Sequence, residues 1–219
     1  LAEVKANQAD LTAANIIVSE DLTAKKLTAQ TSGEFTAQKN VTAGSADIIT
    51  GSDITVSDKL TGGDLDLNAG KNVTVDGTTS GDTVTISSGA DTKLADVKAG
   101  TLNANAGGSI TTDEITANAA DVTARGNVTA NGAIIADELT VAAGKNITTQ
   151  NVTAEKADLT ASSDIAVSGN LTGGDLLLSA DENVTVSGTT SADAVTIASG
   201  ADTKLGEVKG TSVDLTAAN

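Results

Sequence analysis

Carboxylates are the most abundant ionisable side chains in this 219-residue chain, which carries 29 Asp and Glu residues against 13 Lys and Arg. Asp64 and Asp66 follow the pair Gly62 and Gly63, a spacing that could offer oxygen ligands to calcium. Calcium needs six to eight such ligands, and the sequence has no EF-hand loop to supply them. We therefore predict no cofactor and no metal site, keep calcium binding as an unsupported alternative, and interpret most of the acids as a solvated, self-repelling coat.

The composition argues against an enzyme. The chain has no His and no Cys, which excludes thiol nucleophiles, Ser-His pairs and the usual zinc sites. A solenoid that cleaves or binds polysaccharide would need clustered Arg or Lys and aromatic platforms for sugar rings. Arg125 is the only arginine and Phe35 the only aromatic residue. We predict no catalytic residues, and keep a polysaccharide-binding or polysaccharide-cleaving function as an alternative.

Asparagine occurs repeatedly in the pattern Asn-apolar-Thr, which is an acceptor motif for N-linked glycans. Corner asparagines that precede a strand would also produce this pattern without any glycan, so both interpretations stay open. The candidate glycosylation residues are Asn40, Asn72, Asn127, Asn146, Asn151, Asn170 and Asn183.

Threonine dominates the positions that alternate with apolar residues. This favours solvated strands with ladders of hydroxyl groups, and an ice-binding face built from Thr ladders is an alternative. Against that alternative, the threonines are spread over all predicted sides, and paired arrangements such as Thr83-Val84-Thr85 are rare.

Internal repeats indicate how these residues are positioned. The segment Leu60–Lys98 recurs at Leu171–Lys209, with 29 of 39 positions identical, at an offset of 111 residues. Leu1–Asn15 recurs at Leu205–Asn219 with an offset of 204. Both offsets are multiples of a period of about 18–19 residues. Six periods therefore make one long repeat, and the long repeats cover approximately residues 1–108 and 109–219.

Three rows of apolar residues recur with this period, separated by Gly, Asn, Asp and Ser. The phrases between the corners alternate apolar and polar residues, as in Val73-Thr74-Val75, which is the strand period. We predict an all-β, three-sided parallel β-solenoid of about 12 turns, forming a single continuous domain over residues 1–219.

The rows are interrupted at two kinds of position. The first row passes through Thr78 and Thr189, an irregularity shared by the duplicated segments. The third row meets Asp91 and Asp202, where we expect Leu94 and Leu205 to take the inward place after a local bulge.

The two ends resemble each other and show no capping helix or proline. An uncapped solenoid exposes unpaired strand edges. We expect the chain to be a segment of a longer repetitive protein or of a filament. Its partner would then be the same protein, either as a continuation of the same chain or as a copy stacked head to tail. The candidate stacking residues are Leu1, Val4, Leu11, Leu205, Val208 and Leu215.

Several phrases resemble the filamentous-haemagglutinin repeats of bacterial exoproteins that are secreted by two-partner or autotransporter pathways. They include GGDLDLNAGKNVTVDG at 62–77, SGNLTGGDLLLSADENVTVSG at 168–188 and DLTAKKLTAQTSGEFTAQKNVTAG at 21–44. The resemblance implies a right-handed β-helix, export to the cell surface, and a role as an adhesive or spacing fibre.

We therefore predict a structural protein at the bacterial cell surface, forming the shaft of a fibre or adhesin, with a host or neighbouring cell as a further candidate partner. A formal charge of −16 argues against nucleic-acid binding, which depends on Lys and Arg. The sequence has no run of 18 apolar residues, so we expect no membrane insertion.

Overall fold

Strands of two lengths alternate along the chain, most of them either ten or three residues long. The computed structural model describes residues 1–218, and in this range it contains strands and no helix. The chain divides into two units, Leu1–Gly108 and the part from Ser109 onward. In each unit every strand pairs in parallel with the equivalent strand one coil further along. Each unit is therefore a parallel β-solenoid.

The strands of the first unit are β1 (Val4–Ala13), β2 (Ile16–Val18), β3 (Leu22–Thr31), β4 (Phe35–Ala37), β5 (Val41–Thr50), β6 (Ile54–Val56), β7 (Leu60–Thr61), β8 (Asp64–Ala69), β9 (Val73–Val75), β10 (Thr79–Ser88), β11 (Thr92–Leu94) and β12 (Val97–Ala106). The strands of the second unit are β13 (Ile110–Thr112), β14 (Ile115–Ala124), β15 (Val128–Ala130), β16 (Ile134–Ala143), β17 (Ile147–Thr149), β18 (Val152–Ala161), β19 (Ile165–Val167), β20 (Leu171–Ala180), β21 (Val184–Ser199) and β22 (Thr203–Ala217).

Each long strand bends once and so forms two sides of its coil. In β3, Leu22 and Ala24 are buried before the bend, and Leu27 and Ala29 are buried after it. Lys25–Lys26 between them are both exposed, which breaks the alternation of inward and outward side chains that a straight strand would keep. The short strand supplies the third side. The prediction of a three-sided solenoid is confirmed, although two of its three predicted strands are one bent strand.

Successive coils are separated by 18 or 19 residues, as in the pairs Val4↔Leu22 and Leu22↔Val41. This agrees with the period predicted from the sequence. The long strand occurs at six levels in each unit, with β7 and β8 together forming one of them. The short strand occurs at five levels in the first unit and six in the second, where β21 and β22 each contain a short and a long strand. The described residues therefore form about eleven coils, one fewer than predicted.

The interior is thin and consists almost entirely of Val, Ile, Leu and Ala. Phe35 is its largest buried side chain and is fully shielded from solvent. Branched side chains stack on their equivalents in the next coil, about 4.8 Å away. Because each inward residue packs mainly on the coils above and below it, no large aromatic group is needed to fill the core.

Two details of the predicted rows are wrong. Thr79 and Thr190, rather than Thr78 and Thr189, occupy the first row, because the strand register pairs them with Leu60 and Leu171. Both threonines are fully buried.

The predicted bulge in the third row is also absent from the described residues. Thr92 pairs with Val73 and is itself buried, so the row continues through a threonine. Leu94 pairs with Val75 in the next inward row. In the second unit Thr203 and Leu205 hold the same two places, paired with Val184 and Val186.

Candidate functional site

The corner before each short strand carries a ladder of polar side chains, which we call the short-strand ladder. In most coils a side-chain oxygen accepts the backbone N–H of the equivalent residue one coil further on, at 2.9–3.2 Å. These bonds satisfy backbone donors that the corner would otherwise leave without a partner. The ladder consists of Asn15, Glu34, Asp53, Asn72 and Asp91 in the first unit and Ser109, Asn127, Asn146, Asp164, Asn183 and Asp202 in the second.

Aspartate and asparagine make the closest pairs within this ladder. Asn72 donates both its backbone N–H and its Nδ2 to Asp53 Oδ1, at 3.0 and 2.8 Å. Asn183 and Asp164 repeat this arrangement at 3.1 and 2.8 Å. The backbone hydrogen bond from Asn72 lowers the pKa of Asp53 below its usual value, because it stabilises the charged carboxylate.

A second ladder precedes the long strands, and we call it the long-strand ladder. Asn40 donates to Asp21 Oδ1 with its backbone N–H and its Nδ2. In the second unit Asn151 Oδ1 accepts the N–H of Asn170 at 2.8 Å, and Asn170 Oδ1 accepts that of Thr189 at 2.9 Å. The same chemistry thus stabilises two of the three corners.

All seven predicted sequon asparagines lie in these two ladders. Asn72, Asn127, Asn146 and Asn183 belong to the short-strand ladder, and Asn40, Asn151 and Asn170 to the long-strand ladder. In each of them Oδ1 accepts a backbone N–H from the next coil. The sequons therefore have a structural role in the fold, and glycan attachment stays a prediction.

The candidate calcium ligands are exposed on one long strand. Asp64 and Asp66 both point outward from β8, and Asp66 neighbours Asp47 in the register of the preceding coil. Partial desolvation raises the pKa of Asp66, and the charge of Asp47 adds to the effect. Among residues 1–218, no group of three or more Asp or Glu side chains is arranged to hold a metal ion.

Outward threonines stack in single files on two sides of the coil rather than in one flat array, and most of those on the short strands are half-buried. One file follows the short strands through Thr36, Thr55 and Thr74. The other follows the first side of the long strands through Thr42 and Thr61. The two files lie on different sides of the coil. Within each file, neighbouring hydroxyls belong to successive coils and are separated only along the stacking direction.

The predicted stacking residues lie at the first and last described coils. Leu1 and Leu215 are exposed, and Val4, Leu11, Leu205 and Val208 are half-buried, although equivalent positions in the other coils are mostly buried. Within residues 1–218, β1 pairs only with β3, and β22 only with β21. Stacking through these edges stays a prediction.

Buried hydroxyl groups were not singled out from the sequence. Ser88 Oγ lies 2.8 Å from Thr92 Oγ1 inside the first unit, and Ser199 and Thr203 repeat this pair at the same distance. In contrast, the buried hydroxyls of Thr79, Thr149 and Thr190 have no hydrogen-bond partner among the described residues. A threonine at a row position otherwise held by Val, Leu or Ile was the signal that could have identified them.

No helix that could cross a membrane is found in the described part of the chain. No protein-family model matches the sequence, and comparisons with curated proteins and with solved structures find no significant match. The repeat architecture expected from the resemblance to filamentous-haemagglutinin repeats is present as a parallel β-solenoid, whereas membership of that family is not shown.

Proposed function

We propose that this chain is a structural protein at the bacterial cell surface, where its coils form the shaft of a fibre or adhesin. The observation that carries the proposal is the uninterrupted pairing of coils within each unit. Every long strand in the first unit pairs with its equivalents in the neighbouring coils, and the second unit repeats the arrangement.

The polar corner ladders support a mechanical role for the coils. Backbone hydrogen bonds between parallel coils run along the stacking direction, and the Asn and Asp side chains of both ladders add bonds with the same direction. Pulling two neighbouring coils apart along the stacking direction therefore requires several hydrogen bonds to break together. Such a structure resists stretching without needing disulfides or metal ions.

The charge distribution supports a solvated shaft that does not clump. The chain carries 29 acidic residues against 13 basic ones, and exposed strand surfaces without charge are prone to lateral association. Like charges on neighbouring shafts repel each other. The resemblance to filamentous-haemagglutinin repeats is the basis for proposing export to the cell surface, with a host or neighbouring cell as the contacted surface.

We also propose that the partner along the stacking direction is the same protein. Further coils would pair with the free edges of β1 and β22, either as a continuation of the same polypeptide or as a second copy. Val4, Leu11, Val208 and Leu215 would become buried in such a contact.

Electron microscopy of native material, combined with the intact mass of the chain and antibody labelling of unpermeabilised cells, tests this function. We expect thin labelled fibres that project from the cell surface. Chains of about 21.4 kDa in long filaments would identify stacking, and a much larger chain would identify covalent continuation. Discrete unlabelled particles inside the cell would overturn the proposal.

A further inference from the structure

Two of the sequon asparagines, Asn151 and Asn170, differ from the others in exposure. Both residues are exposed, and so are the threonines that complete their sequons, Thr153 and Thr172. An enzyme that modifies a sequon must reach both the asparagine and the hydroxyl group. At the remaining sequons the asparagine is half-buried. These asparagines are Asn40, Asn72, Asn127, Asn146 and Asn183.

The carboxamide nitrogen of Asn151 is free, unlike that of its equivalent in the first unit. There, Asn40 Nδ2 donates to Asp21 Oδ1 at 3.0 Å. In the second unit the strand register places Ala133 in the position of Asp21, one coil before Asn151. Alanine has no acceptor in its side chain, so Asn151 Nδ2 has no hydrogen-bond partner among the described residues.

The carboxamide oxygen of each exposed asparagine is held by the next coil. Asn151 Oδ1 accepts the backbone N–H of Asn170 at 2.8 Å, and Asn170 Oδ1 accepts that of Thr189 at 2.9 Å. A Cβ atom at Gly169 or Gly188 would collide with these oxygens, so glycine leaves the room that the bond needs. The oxygen is therefore engaged in the long-strand ladder, while the nitrogen stays available for reaction.

We propose that Asn151 and Asn170 each accept a hexose from a nucleoside diphosphate sugar, in a reaction catalysed by a separate transferase. A bond forms between Nδ2 and C1 of the sugar as the bond between C1 and the diphosphate oxygen breaks. The nucleoside diphosphate leaves with the electron pair, and one Nδ2 proton passes to a base of the transferase. Oδ1 keeps its hydrogen bond to the next coil, so the modified asparagine still supports the ladder.

The half-buried sequons are poorer acceptors for two reasons. Asn72 and Asn183 donate from Nδ2 to aspartates of the preceding coil, each at 2.8 Å, and a hexose on this nitrogen would compete with the aspartate for space. Asn127 and Asn146 make no such bond, but neither residue is exposed. Exposure and a free nitrogen occur together only at Asn151 and Asn170 within residues 1–218.

The two acceptors lie in successive coils at one corner of the second unit. The equivalent positions in the first unit are Asn40 and Lys59. Sugars should therefore decorate the second unit and leave the first unit bare. The inference does not rest on the shaft function, because it concerns only the side chains at one corner.

The test uses the whole folded chain, UDP-glucose and a soluble transferase that modifies Asn-x-Thr sequons. Short synthetic peptides, each with one of the sequons, measure how well the transferase accepts each motif without the fold. Peptide mapping by mass spectrometry gives the occupancy at every asparagine. Relative to its own peptide, we expect each of Asn151 and Asn170 to be modified about tenfold or more above Asn72 and Asn183, whose hydrogen bonds to aspartate must be displaced.

Two variants test the reasons for this selectivity. Thr153→Val removes the hydroxyl of one sequon, so it should abolish modification at Asn151 and leave Asn170 unchanged. Asp21→Ala copies the second unit by freeing Asn40 Nδ2, and it should raise the occupancy at Asn40 severalfold. Far-UV circular dichroism checks that both variants keep the fold.

Three results would overturn the proposal. The first is absence of hexose at Asn151 and Asn170 in the folded chain although their peptides are modified. The second is equal relative occupancy at all the sequons, and the third is no gain at Asn40 in the folded Asp21→Ala variant. None of these outcomes would affect the proposed shaft, which microscopy tests separately.

Discussion

The duplicated segments, Leu60–Lys98 in the first unit and Leu171–Lys209 in the second, show which parts of a coil can vary. They differ at ten positions, and none of these ten residues is buried in either copy. Even the polar interior positions Thr79 and Thr92 recur as Thr190 and Thr203. The interior is therefore constrained by stacking, whereas the outward positions are free to acquire different charge.

The clearest outward difference is Asp66 in the first copy against Leu177 in the second. Both residues occupy the same place on a long strand, with Asp47 or Asp158 in the preceding coil and Thr85 or Thr196 in the next. The backbone pairing around them is the same. A change from a carboxylate to an exposed leucine thus alters the surface without altering the coil.

The largest expected effect comes from truncating an interior residue in either copy. Leu67 and Leu178 are equivalent and fully buried, so Leu67→Ala and Leu178→Ala should each lower the free energy of unfolding by about 2–5 kcal/mol. Urea unfolding followed by far-UV circular dichroism measures this. The neighbouring outward changes Asp66→Ala and Leu177→Ala serve as controls and should stay within about 0.5 kcal/mol.

Because solenoid units can unfold separately, each variant should first lower the transition of its own unit. Equal effects of the inward and outward substitutions would contradict the division between a constrained interior and a variable surface.

Breaking the short-strand ladder should have the next largest effect, and it should be similar in the two units. Asp53→Ala and Asp164→Ala each remove the acceptor of two hydrogen bonds from an asparagine. We expect a loss of about 1–3 kcal/mol from the unpaired groups. Asp53→Asn keeps an acceptor oxygen and should lose less than Asp53→Ala in the same urea titration.

The Asp53 variants also have an expected pH dependence. The pKa of Asp53 is lowered in the folded protein by the backbone hydrogen bond from Asn72. Its charged form therefore contributes stability above the unfolded pKa of about 3.9, and this contribution is lost as the pH falls through the lower folded value. The difference between wild type and Asp53→Asn should shrink below about pH 4. A constant difference down to pH 2 would refute the charge-assisted bond.

Removing the unpaired hydroxyls should stabilise both copies. Thr79 and Thr190 are fully buried and have no hydrogen-bond partner in the described residues. Thr79→Val and Thr190→Val replace the hydroxyl by a methyl group of similar shape and should raise the free energy of unfolding by about 1 kcal/mol. The measurement is the shift of the thermal midpoint by calorimetry.

Thr31→Val is the matched control for these variants. Its hydroxyl donates to the carbonyl oxygen of Gly33 at 3.0 Å, so the same substitution should destabilise by about 1 kcal/mol. If all three variants shifted stability in the same direction, the presence or absence of a hydrogen-bond partner for the hydroxyl would not explain the change in stability.

The coil architecture could be predicted from the sequence because the same spacing of apolar residues recurs in every coil of a solenoid. The predicted period links Leu11, Ile48 and Leu67 in one apolar row, and the strand register confirms this row. The errors arose where a threonine stands inside. The predicted period places Asp91 in the third row and Leu94 inward after a bulge, whereas the strand register gives the place in that row to Thr92.

The outward chemistry was harder to predict because it depends on which residues the register brings together. The ladders join side chains 18 or 19 residues apart, such as Asn127 and Asn146, and local motifs show only the sequon. Glu138 and Asp175 are distant in the sequence, yet both neighbour Lys156 in the strand register. Neither residue stands out in a chain with 29 acids until the register is known.

The smallest expected effect concerns the charge at the position where the copies differ. The pKa of Asp66 is raised by burial and by the charge of Asp47. Its charged form is therefore disfavoured in the folded state, and the stability present below the unfolded pKa is reduced as the pH rises through the folded value. Asp66→Asn should raise the free energy of unfolding at pH 7 by a few tenths of a kcal/mol, since solvent screens this partly exposed group.

The second copy supplies the reciprocal experiment. Leu177→Asp places a carboxylate beside Asp158 and should lower stability at pH 7 by a similar few tenths of a kcal/mol. Both differences should disappear near pH 3, where the carboxylates become protonated. Paired urea titrations at the two pH values measure the change. If Asp66→Asn destabilised the chain at pH 7, the cost of burying the charged carboxylate beside Asp47 would not decide the stability, and the variation between the copies would reflect packing instead of charge.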